Sequence, residues 1–146
     1  MHASTVGIVI FALLCASCSQ INAGSVYSPA SGNMWHYGFS ETQLAKDTFR
    51  VTFLGYGIPQ AKAYDFALLR AAELCRANGF THFNLISENS SAGIGPGVII
   101  PSGSAAIYSS IDKPEVTLTA KFSNEPSSSY SVAFLEQSLR KKHKIE

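Results

Sequence analysis

Charge is scarce in this chain. Asp, Glu, Lys and Arg make up 14% of its 146 residues, against about 25% in an ordinary globular domain, and the net charge is only +1. No broad field of one sign exists to draw in nucleic acid or an acidic polymer, so no nucleic-acid partner is expected. Beyond Cys18, close pairs of ligating residues are missing as well. His36, His82 and Cys75 stand alone in sequence, which excludes the spacing that structural zinc requires. No Gly-x-Ser-x-Gly elbow is present, and the many serines lie in turn-rich stretches where backbone capping accounts for them. Gly93-Ile94-Gly95-Pro96-Gly97 looks superficially like a phosphate loop. Pro96 removes an amide donor, however, and no Lys-Ser/Thr follows to hold phosphate. Neither a catalytic motif nor a cofactor or metal is expected. Finally, no apolar run reaches the roughly 20 residues of a membrane-spanning helix.

What the sequence does have begins at its N-terminus. Val6 to Leu14 is free of polar side chains, a length that suits the apolar region of a signal peptide and is about half that of a spanning helix. Cys15-Ala16-Ser17-Cys18 follows at once. An apolar stretch, two small residues and then a cysteine resemble the lipobox of bacterial lipoproteins. The resemblance implies removal of residues 1–17 and lipidation of Cys18, with a diacylglycerol thioether on its sulfur and an acyl chain such as palmitate on its freed amine. Membrane lipid is then the expected partner, held through the covalent anchor. Several chains make such an attachment durable, since each buried methylene contributes about 0.8 kcal/mol. By resemblance to enteric sorting, Ser19 rather than Asp beside the anchor implies the outer membrane, facing the periplasm. A soluble exported protein without the anchor is the alternative on the same residues. Cysteine arithmetic leaves Cys75 as the odd thiol, expected to be buried.

Residues 18–33, rich in Ser, Gly, Asn and Pro, read as a flexible tether, and residues 34–146 as a single α+β domain. Within it, Phe49, Val51 and Phe53 alternate with Arg50 and Thr52, the period of a strand with one buried face. Pro59 opens a helix that Asn78-Gly79 stops. Its wheel puts Tyr64, Ala67, Leu68, Ala71, Leu74 and Cys75 on one face. Thr81–Ile86 reads as a second strand, joined to the first by a parallel, right-handed crossover. Val116, Leu118, Ala120 and Phe122 mark a third strand, and Ser131 to Lys142 a last helix. The predicted architecture is a two-layer sandwich, β-α-β-β-α, with a long Gly/Ser/Pro-rich loop before the last strand. That loop, Glu88 to Pro114, carries two apolar runs that form either an irregular functional loop or a short hairpin turning at Pro101–Gly103.

Candidate surface residues come from what does not fit. Phe66 and Leu69 lie off the helical stripe, on the side that should face water. They point to a second contact, with the C-terminal helix, the Trp35–Phe39 segment or an envelope partner. Arg70 and Glu73, at i and i+3, are placed for an ion pair. Ser40 and Glu41 are placed to start a short helical turn, with Ser40 and Gln43 forming a capping box. The basic run Arg140, Lys141, Lys142 and Lys144 reads as a solvated helix end, with a contact to anionic headgroups as the alternative.

Gly38-Phe39-Ser40-Glu41-Thr42-Gln43-Leu44, the strand Phe49–Phe53 with Gly55 and Gly57, and Leu68-Leu69-Arg70-Ala71-Ala72-Glu73 together resemble a family of small proteobacterial lipoproteins. Its members share a Gly-Tyr-Ser-Glu-Thr-like opening and a Leu-Leu-Arg-Ala-Ala-Glu helix. Here Phe39 stands for the usual Tyr, and Tyr56 for the usual Asn. The resemblance implies an envelope address and no particular activity. The expectation is therefore a non-enzymatic envelope lipoprotein that binds another envelope component through Phe66, Leu69 and the 88–114 stretch. The competing expectation is a small-ligand or enzymatic pocket lined by His36, Tyr37 and Glu41.

Overall fold

The computed structural model describes residues 26–30, 36–103 and 105–146. In chain order the elements are β1 (Gly38–Ala45), β2 (Thr48–Leu54), α1 (Gln60–Ala77), β3 (His82–Ser102), β4 (Ala105–Ser123), β5 (Tyr130–Ser131) and α2 (Val132–His143). The protein is α+β, with a five-stranded sheet of order β1-β2-β4-β3-β5 in which every neighbouring pair is antiparallel.

Period-2 alternation builds the centre of this sheet. Phe49, Val51 and Phe53 of β2 and Val116, Leu118, Ala120 and Phe122 of β4 turn to one side, where they join Phe83 and the buried residues of α1. The opposite side presents polar side chains: Thr52 and Thr117, paired across the strands, share a hydroxyl hydrogen bond of 3.0 Å. Each fully buried Phe, Leu or Val contributes about 1.5–3 kcal/mol, which makes this cluster the main source of stability. Ala63, Ala67, Ala71 and Ala72, all buried, let α1 lie close on the sheet. The helix begins after Pro59, whose fixed φ of −63° suits an N-terminus, and stops where Gly79 turns the chain at φ +81°.

Three expectations are corrected. The crossover from β2 through α1 to β3 does join strands of the same direction, since both are antiparallel to β4, but they are not neighbours. β4 returns from β3 through a tight turn at Gly103, φ +60°, and lies between them. The segment expected to open a helical turn is instead the edge strand β1, with Ser40 opposite Thr52 and Gln43 opposite Phe49, so the capping box does not form. Of the two alternatives for the stretch 88–114, the irregular loop is overturned and the hairpin holds, longer than expected and turning between Ser102 and Ala105. β3 and β4 pair through it as one long hairpin, from His82 opposite Ser123 to Ser102 opposite Ala105.

Part of the segment expected to be a tether is attached to the body. Within residues 18–33 the structure describes 26–30, and these pack on the body: Ser28 accepts a hydrogen bond from the Phe39 amide at 2.9 Å, and Pro29 forms a parallel bridge with Phe39. Gly38, at φ +127°, makes the approach possible, because a Cβ there would lie 2.2 Å from the Ser28 carbonyl oxygen.

Candidate functional site

α1 carries Arg70 and Glu73 one turn apart, and the fold brings three distant groups to them. β1 supplies Glu41, α2 supplies Arg140, and the N-terminal segment supplies Tyr27. Glu73 Oε2 accepts hydrogen bonds from the Tyr27 hydroxyl at 2.6 Å and from Arg70 Nη1 at 3.1 Å, while Oε1 accepts one from Arg140 Nη2. Arg70 in turn donates to Glu41 Oε1 at 2.7 Å and lies 4.4 Å from the Phe39 ring centre. Burial works against the Arg70 charge, but the Glu41 and Glu73 hydrogen bonds outweigh it and hold the guanidinium above its ordinary range. Burial, followed by the bond to Glu73, holds the Tyr27 phenol far above its ordinary range, so it stays a neutral donor.

Three donors thus hold the two Glu73 oxygens, which fixes the carboxylate in place. The cluster is a clamp joining four parts of the chain. Of the sequence-derived candidates, it unites Glu41, Arg70 and Glu73. It leaves Ser40 exposed on β1, outside the cluster. Phe66 and Leu69 are not surface residues at all, with 2% and 0% exposure. Their wheel position was expected to be wet, but α1 is covered on that side by a further layer: Phe66 meets Tyr27, Phe53 and His143 edge-on, at 5.5, 5.1 and 5.1 Å. Cys18 lies outside the described residues.

The basic end of α2 is engaged in the same way. Lys142 Nζ and His143 Nε2 both reach Asp65 Oδ2 at 2.7 Å, and Arg140 reaches Glu73, so these three side chains tie α2 to α1, while Lys141 and Lys144 are exposed. Cys75 is buried as expected, and its thiol donates to the His82 carbonyl at 3.2 Å. Burial, then the charge of Glu136, pushes that thiol up to about 11 from an ordinary 9.0. Alkylation of the Cys75 peptide at pH 8, mapped by mass spectrometry, is therefore expected to proceed only at the rate of unfolding. The linked stability is complete below pH 9, where neither state ionises, and falls as pH rises towards 11, because the unfolded thiol loses its proton first. Rapid labelling of the folded protein would contradict this account.

The second feature is the distal part of the β3–β4 hairpin. Its last backbone ties to the rest of the sheet are Gly55 N–H to the Pro114 carbonyl, 2.7 Å, and Gly57 N–H to the Asp112 carbonyl, 2.8 Å. Past them β3 and β4 pair with each other, through a bulge between Gly95 and Val98. Gly97 sits where the arm is tightest: a Cβ would lie 2.3 Å from the Ser109 carbonyl oxygen and 2.6 Å from the Tyr108 ring. The Gly97 amide donates to the Tyr108 hydroxyl at 2.9 Å. At the base, Tyr37 and Tyr56 stack at 4.9 Å and the Lys113 ammonium lies 5.6 Å from the Tyr37 ring. Residues 89–111 contain no charged side chain, and Ile94, Ile99 and Tyr108 are 77%, 66% and 65% exposed. No sequence periodicity marks this arm, because its apolar residues are interrupted by Gly, Pro and Ser.

A depression of about 180 Å³ beside the arm base is lined by Gln60, Ala92, Gly93, Asp112, Lys113 and Pro114. That is below the roughly 300–1,000 Å³ of small-molecule sites, and it includes none of His36, Tyr37 or Glu41. Among the described residues no group of three or more His, Cys, Asp or Glu is placed to hold a metal, and no helix is long and apolar enough to cross a membrane. No known protein family, curated protein or solved structure matches this chain.

Proposed function

We propose that this chain is an exported, lipid-anchored envelope protein whose body, arranged as two layers, is a non-enzymatic binding module. The reading is carried by the uncharged arm: an extended, paired segment that leaves Ile94, Ile99 and Tyr108 largely in water is disfavoured in an isolated soluble domain and marks an interaction surface. The lipobox-like Cys15-Ala16-Ser17-Cys18 and the resemblance of residues 38–86 to small lipoproteins support the address. The clamp at Glu73 supports a structural rather than a reactive role for the candidate polar residues, since its carboxylate is held by Tyr27, Arg70 and Arg140.

Metabolic labelling with a fatty-acid probe tests the anchor. Wild type is expected to incorporate the probe and float with membranes, while Cys18→Ser is expected to lose the label entirely. Equal labelling of the two proteins would remove the anchor from the proposal.

A further inference from the structure

We infer that the tip of the β3–β4 arm seats in the interfacial layer of the same bilayer that holds the Cys18 acyl anchor, so that the protein touches its membrane at two points. The inference rests on the lipid-anchor reading and adds to it the occupant of the arm.

The chain enters the body at one end of the sheet. The Pro29–Phe39 bridge is parallel, so residues 26–30 run in the same direction as β1 and arrive from the Gly38 end of that strand. Gly38 is opposite Leu54, Leu54 is opposite Glu115, and Glu115 is opposite Ser91. This is the end of the sheet from which the arm projects. The lead from Cys18 and the arm therefore leave the body on the same side.

Lengths then decide what the arm meets. Val26 follows Cys18 by eight residues, which span at most about 29 Å when fully extended. From Asp112, the last position tied to the body, β4 runs back to Ala105 at the turn, about 24 Å at the rise of an antiparallel strand. The lead thus spans at most about 29 Å against an arm of about 24 Å, which puts the tip within reach of the membrane that holds the anchor.

Chemistry favours entry to a limited depth. The charge-free stretch 89–111 ends at Glu88 on one strand and at Asp112 and Lys113 on the other, close to the level where the arm leaves the sheet. No charged group has to be desolvated to seat the tip. Ile99 and Tyr108, directly opposite each other in the register, give it an apolar side chain and an aromatic with a polar tip, the residue types that settle at the boundary between headgroups and acyl chains. Full insertion is opposed by the outer edges of a lone hairpin, whose unpaired N–H and C=O groups would lose water. Pro96 and Pro101 have no N–H of their own to desolvate.

Tryptophan quenching tests the inference. The full lipidated chain, with Trp35→Phe as background, is made in two versions, Ile99→Trp and Leu44→Trp, and reconstituted into phosphatidylcholine/phosphatidylglycerol vesicles with or without brominated acyl chains. Leu44 is a control, being exposed near the other end of β1. Ile99→Trp is expected to shift to the blue and lose about half or more of its emission in brominated vesicles, as for side chains seated about 5–10 Å into the interface, with Leu44→Trp unchanged. Tyr108→Trp supplies a second arm position should Ile99→Trp fold poorly by circular dichroism. Unquenched emission from both arm positions, in protein that floats with the vesicles, overturns the inference while leaving the anchor intact. So does crosslinking of an unquenched arm to a protein. Protein that carries no acyl label and does not float overturns the anchor reading, and with it the length argument above.

Discussion

Phe66→Ala is expected to lower the unfolding free energy by about 3–5 kcal/mol, the range for deleting a buried aromatic side chain. The size follows from what the ring does. Only 2% exposed, it fills the space between β2, the end of α2 and the N-terminal segment, touching Phe53, His143 and Tyr27 edge-on. Its neighbours belong to three different parts of the chain, so the hole cannot close by moving any one of them. Domains of this size are stable by about 5–15 kcal/mol, so a substantial part of the total is at stake. Urea titration followed by circular dichroism is the measurement. A loss below about 1 kcal/mol would mean that the ring is not packed as described, and would return Phe66 to the surface.

Glu73→Ala is the second large effect, expected at about 2–3 kcal/mol from the stranding of charged and hydrogen-bonded partners. The side chain is 11% exposed, and its partners Arg70 and Arg140 are 23% and 31% exposed, so the loss stays below that of a fully buried pair. Removing the carboxylate leaves two guanidinium groups and the Tyr27 hydroxyl facing a gap. Arg70 retains Glu41, whereas Tyr27 loses the acceptor that fixes its hydroxyl. The variant should therefore release residues 26–30 before it unfolds. Limited proteolysis is expected to cut that segment in Glu73→Ala under conditions where wild type resists, and Glu73→Gln should lie between the two. Equal resistance of all three would show that Ser28, Pro29 and the Tyr27 ring hold the segment without the clamp.

The parts of this fold that were legible in the sequence are those written in local signals. Pro59 and Asn78-Gly79 bound α1 to within a residue, and the alternation around Val51 and Leu118 identified β2 and the inner part of β4. β1 was not legible, because its inward positions past Phe39 are Glu41 and Gln43, which hide the alternation. Glu41 is tolerated there because Arg70, 29 residues away, meets it. The same holds for the clamp. The Arg70–Glu73 spacing is visible on any helical wheel, but Tyr27 and Arg140 lie 46 and 67 residues from Glu73, and nothing local joins them. Phe66 and Leu69 fell off the single stripe a wheel assumes and pointed to a second contact, which is internal: α1 is covered by the sheet, by α2 and by the Tyr27 segment. The arm was legible only as one of two alternatives and in part of its length, because Gly, Pro and Ser look like loop until a partner strand is known.

The position of β4 in the middle of the sheet governs when the chain can fold. β2 finds its inner neighbour only when β4 arrives, and the touching hydroxyls of Thr52 and Thr117 are 65 residues apart in sequence. Until that stretch has been synthesised, Val51 and Phe53 have half a sheet to join, and a pairing this distant carries a loop-closure entropy that local contacts do not offset. The barrier is topological, built into strand order rather than into any single residue. Such a chain cannot complete its central pairing until most of it has been synthesised.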